Sequence, residues 1–141
     1  MAFQEKIEWL TLSAMAVAYG IYFSLVAAYP AGPTLIETLW LFAKISGAQI
    51  IVVTFGAIIL ALAFRKEGQA KSDERDRAIS RRGASIAYYV LLIGVILVGV
   101  VMPFEQPPAA KMINATLFVL VIAEAVRHVV MLVSYRRGWH G

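Results

Sequence analysis

MINATLFVLVIAEAVRHVVMLVSY, residues 112–135, is an apolar run interrupted by three ionisable side chains. An α-helix needs roughly 20 predominantly apolar residues to cross a hydrocarbon core of about 30 Å, and this run has the length and the flanks for it. Ile113–Val121 and Val129–Val133 suit lipid or a membrane-helix core, whereas Glu124, Arg127 and His128 do not. The fold follows from the apolar flanks. Any function has to start from the three exceptions.

Three further apolar segments accompany it, at about residues 9–29, 36–64 and 84–102. Pro30-Ala31-Gly32-Pro33 breaks the chain after the first, Arg65-Lys66-Glu67-Gly68 ends the second, and Pro103 with Pro107-Pro108 stops the third. Proline removes a backbone donor and glycine frees the chain, so these are turn signals. The chain has 141 residues, 60% of them hydrophobic and only 16% charged. Mean hydropathy is +0.73, too apolar for a soluble chain of this size to hide. The expected fold is all-α: a single domain over residues 1–141, four membrane spans in a bundle, with the lipid bilayer as first partner. The first span follows a segment holding Glu5 and Glu8 against Lys6, and it exceeds a signal-peptide core, so it reads as a retained span. Cysteine is absent, which excludes disulfides, thiolate chemistry and cysteine metal sites.

The net charge of +4 is unevenly placed. Arg65, Lys66, Lys71, Arg75, Arg77, Arg81 and Arg82 fall between spans two and three, and Arg136 and Arg137 follow span four. The first connection has no Lys or Arg, and the third has only Lys111. The positive-inside bias therefore predicts an inner-membrane protein with both termini and the loop over residues 65–83 in the cytoplasm. Trp9, Tyr88, Tyr89, Tyr135 and Trp139 would mark the inner interface, and Tyr29, Trp40 and Phe104 the outer one. Glu67, Asp73, Glu74 and Asp76 interrupt the bases, so a nucleic-acid partner is not expected. Contact with anionic lipid head groups is a natural consequence of such a loop.

Within the loop, Ser72-Asp73-Glu74-Arg75-Asp76-Arg77 orders a cap, then acids, then bases. That order suits a helix start, with Asp73 and Arg77 at i,i+4 and Glu74 and Arg77 at i,i+3. The pattern predicts a helix from about Asp73 that runs unbroken into span three, either as a solvated extension or as a docking surface for a protein partner.

The stretch Asp73-Glu74-Arg75-Asp76-Arg77-Ala78-Ile79, running through Arg81-Arg82-Gly83-Ala84-Ser85 to Ala87-Tyr88-Tyr89-Val90, resembles a family of small four-helix membrane proteins of bacteria and archaea. In that family an Asp-Glu-Arg sequence precedes the third span. The resemblance implies a prokaryotic inner-membrane protein and brings no activity with it. A second likeness is to the MAPEG glutathione and eicosanoid enzymes, four-span chains with a Glu-Arg-x-x-Arg-Ala-x-x-Asn pattern. Here Glu74-Arg75-Asp76-Arg77-Ala78 has one spacer fewer, lacks the asparagine and precedes span three instead of span two. An intramembrane enzyme of that type is therefore the minor alternative.

On a helix Glu124, Arg127 and His128 share one face through i,i+3 and i,i+4 spacing. Asn114 lies roughly 40° from His128 on the same wheel. On span two, Lys44, Ser46, Gln49 and Thr54 are the polar residues that could meet that face. Gln49 and Glu124 each lie roughly 20 Å from the outer ends of their spans and Lys44 roughly 12 Å, so Gln49 is the expected partner of Glu124. Charges in lipid are costly and turn inward to find partners. A self-compensated cluster would use these residues to fix helix packing. A proton- or ligand-responsive site would use the same residues, and histidine is the side chain suited to such switching near neutrality. No ligand spacing supports a metal at His128 or His140, and no cofactor is implied.

Ala16, Gly20, Ser24 and Ala28 form a small-residue ridge on span one, suited to packing within the bundle or to a homodimer. No phosphate loop, nucleophile elbow or pair of catalytic carboxylates is present. The leading function class is thus a non-enzymatic binding, sensing or accessory subunit. A small proton-coupled transporter is the alternative.

Overall fold

The computed structural model describes residues 3–29, 32–64 and 74–138. The four helices expected from the apolar runs are present: α1 Phe3–Ala28, α2 Leu35–Ala63, α3 Glu74–Ile96 and α4 Ala109–Arg136. Each is long and apolar enough to span a bilayer, α3 when taken with its continuation to Glu105. The loop residues up to Asp73, including Ser72 and its cap, lie outside the described residues, as do Trp139 and His140.

Local chemistry sets the boundaries. Thr34 caps α2 with a reciprocal box: its Oγ1 accepts from the Glu37 N–H at 3.3 Å, and its own N–H donates to Glu37 Oε2 at 2.8 Å. Past Ile96, α3 widens into a π turn over Leu97–Val101 and tightens into a 3₁₀ turn over Met102–Glu105. Pro103 offers no N–H to the carbonyl one turn back, so the regular ladder cannot continue through it. Gln106, at φ 50°, ends the turn, and Pro108 leads into α4.

α3 begins by Glu74, ten residues before its apolar run, so the expected extension exists. It is not a solvated spur. Ile79 is fully buried in a cluster with Met131 and Tyr135 of α4. Tyr135 donates its hydroxyl proton to Asp76 at 3.0 Å, and Arg75 donates to the Tyr135 carbonyl at 3.3 Å.

The helices lie in the order α2, α1, α4, α3, with α1 and α4 central. The α3–α4 seam is close because glycine faces it. A Cβ on Gly83 would sit 2.8 Å from Met131 Cγ and 3.1 Å from the Arg127 carbonyl, and one on Gly94 would collide with Val119. α2 is the loosest member and buries only Thr38. It reaches α1 where Leu10 lies over Gly56, and through a stacked Tyr19–Phe42 pair at 5.6 Å. The ridge of Ala16, Gly20, Ser24 and Ala28 is exposed along its length, and a Cβ on Gly20 would meet nothing within 4 Å. Packing within this bundle therefore does not use the ridge; α1 turns its other faces to α2 and α4.

Candidate functional site

The start of α1, the end of α2, the start of α3 and the end of α4 come together. Glu5 of α1 approaches Arg136 of α4 at 3.9 Å, and the Lys6 ammonium lies 3.4 Å over the Phe64 ring just past α2. One turn deeper, Glu8 of α1 meets His128 Nδ1 at 2.5 Å, both side chains only 12% exposed. His128 Nε2 faces Glu124 at 3.9 Å, and Glu124 in turn meets Arg127 at 3.5 Å. His128 thus stands between two carboxylates, one from a neighbouring helix and one from its own. Glu8 was missing from the sequence-based cluster, where it counted only as charge ahead of span one.

The register of α3 explains why α4 tolerates these groups. Arg127 lies against Gly83, and the apolar run of α3 begins only at Ala84. The polar cluster is therefore level with the junction between the charged and apolar parts of α3. It sits at a boundary and not at the middle of the bundle.

The expected pairing of Glu124 with Gln49 is not formed. α1 lies between α2 and most of α4, so equal depth does not make these two residues neighbours. Gln49 lines an apolar groove of about 550 Å³ between α1 and α2, with Leu10, Val17 and Val52. Glu124, its side chain 54% exposed, lines a groove on the α3 side with Ala84, Ala87 and Leu91. Lys44 is exposed. Asn114 also stands apart: it accepts the hydroxyl proton of the fully buried Tyr22 and donates to the Ala110 carbonyl at 3.0 Å. An aromatic group of Tyr22, Phe23, Phe42 and Phe118 surrounds that bond. The structure thus brings together Glu124, Arg127 and His128, and separates Gln49, Lys44 and Asn114 from them.

Of the loop motif, Asp73 lies outside the described residues. Asp76 and Arg77 line a crevice of about 390 Å³, where they face Glu8, Ser80, Arg81, Arg127 and Tyr135. The crevice is built from three helices, and its charges are unequally engaged. Glu8 is held by His128, and Asp76 accepts from Tyr135. Arg127 has only the long contact to Glu124, and its buried Nε finds no acceptor among the described residues. Arg77 and Arg81, both exposed, line the same crevice beside Arg127, an arrangement suited to binding an anionic group.

A family model described as "Predicted membrane protein (DUF2178)" matches residues 5–139. The chain belongs to this family. The DUF2178 match takes in all four spans, so the resemblance read between Asp73 and Val90 extends to nearly the whole chain, and membrane residence follows from the family and the four apolar helices alike. No curated protein and no solved structure matches the chain.

Proposed function

We propose that this integral membrane protein is a non-enzymatic binding, sensing or accessory subunit of the inner membrane, with its site in the crevice where α1, α3 and α4 meet. The observation that carries the reading is the set of three arginines, Arg77, Arg81 and Arg127, that line one cavity of about 390 Å³. Both termini and the segment over residues 65–83 are cytoplasmic in this reading, on the strength of the Lys and Arg asymmetry. His128 links Glu8 of α1 to Glu124 of its own helix beside this crevice.

A transporter would need polar groups through the thickness of the bundle. From Ala115 to Ala123, α4 carries only Thr116, whose hydroxyl is spent on the Met112 carbonyl at 2.9 Å. That gap of about 15 Å favours a site at one end over a path. Pairing of two copies through the exposed ridge of Ala16, Gly20, Ser24 and Ala28, and a protein partner on the cytoplasmic loop, are the partner readings that accompany it.

The experiment is to purify the protein in mild detergent and identify co-purifying small molecules by mass spectrometry, beside a Ser80→Trp variant that fills the crevice and an Arg81→Glu variant that reverses its charge. A species retained by the natural chain and lost from both variants is the expected result. An identical set of species in all three would overturn the reading.

A further inference from the structure

We infer that the crevice and the α3–α4 groove together form a site for one anionic phospholipid; this rests on the proposed crevice site and names its ligand. On α3, Arg77, Arg81, Ala84, Tyr88 and Leu91 follow at steps of four, three, four and three, so they form one stripe along the helix. The first two line the crevice, and the last three line the apolar groove of about 260 Å³. Arg127 of α4 lines both, so crevice and groove adjoin at this side chain.

The groove therefore changes character once along its length, cationic at the crevice and apolar beyond it. A phospholipid changes in the same order. Basic pockets between membrane helices on the cytoplasmic side recognise anionic head groups in this way. Arg77, Arg81 and Arg127 line the crevice where a phosphate would sit, while Glu8 and Asp76 are engaged by His128 and Tyr135. Glu124 competes with that phosphate for Arg127. The groove runs from Ala84 to Leu91 on α3, about 10 Å, which takes the upper part of an acyl chain within a leaflet of about 15 Å; Val119 closes the seam at Gly94.

The test is native mass spectrometry of the full chain released from detergent containing equal amounts of phosphatidylglycerol and phosphatidylcholine with matched acyl chains. The natural chain should retain phosphatidylglycerol preferentially. An Arg77→Ala/Arg81→Ala variant, changed only at exposed side chains, should lose about tenfold of that retention with phosphatidylcholine unaffected. Glu124→Gln should strengthen it, and Ala87→Trp should diminish both lipids by filling the groove. Equal retention of the two lipids, or a preference untouched by the arginine changes, overturns the inference. So does dimerisation through the same groove, read as crosslinking of a Tyr88→Cys variant. If lipid preference is absent while a soluble species still leaves with Ser80→Trp, the inference falls and the binding reading stands. If neither is seen, both fall.

Discussion

The two helices at the ends of the row, α3 and α2, are held in opposite ways. α3 lies on α4 through glycines that let the backbones approach, and its extension is clamped by Ile79 and the Tyr135–Asp76 bond. α2 buries one side chain and rests on α1 through a leucine over Gly56 and an aromatic stack. In lipid there is no hydrophobic gain from joining two greasy helices, so close packing and polar contacts decide the strength of a seam. The charged residues gather beside α3 because a tight seam can hold a register against α1 and α4. α2, whose Lys44 and Gln49 lie away from the cluster, contributes almost nothing to the site.

Changes at the tight seam should have the largest effect. Gly94→Leu drives a side chain into Val119 and is expected to cost about 3 kcal/mol, read as a lower melting temperature in detergent. The matching change on the α2 side, Gly56→Leu, should cost much less because the Leu10 side chain can swing away. Equal losses at the two glycines would abolish the contrast.

Next come the polar links of the central pair, α1 and α4. Glu8→Ala is expected to lose about 2 kcal/mol, since the carboxylate and His128 are each only 12% exposed. A double change with His128→Ala should cost less than the sum of the two single changes. Strict additivity would mean that the contact carries no energy. Tyr22→Phe, which removes the bond to Asn114, should cost about 1 kcal/mol in the same melting assay. Smallest of all is Glu124→Gln, within about 0.5 kcal/mol because the pair with Arg127 is half-exposed. A loss as large as that of Glu8→Ala would make Glu124, and not Glu8, the anchor of His128.

The spans and the α3 extension were legible because length, turn residues and the order of acids and bases are local signals. The Thr34–Glu37 capping box was equally local, written as Thr-x-x-Glu, and escaped notice inside a stretch read only as a turn. Helix order was not legible. A helix apolar on every side carries no mark of its neighbour, so the depth argument for Gln49 and Glu124 had no means of finding which faces meet. Glu8 was hidden for a related reason: nothing in sequence links it to His128 until α1 lies on α4. The spacing of Gly83 and Gly94, three turns apart, acquires its meaning only once the seam is seen.

The polar cluster belongs to α1, α3 and α4 and excludes α2. The natural chain has no cysteine, so paired cysteines can be introduced without background. With a short bis-maleimide in native membranes, Glu8→Cys/His128→Cys should crosslink within one chain, and Gln49→Cys/Glu124→Cys should not. Efficient crosslinking of 49 to 124, with 8 and 128 unlinked, would contradict the account.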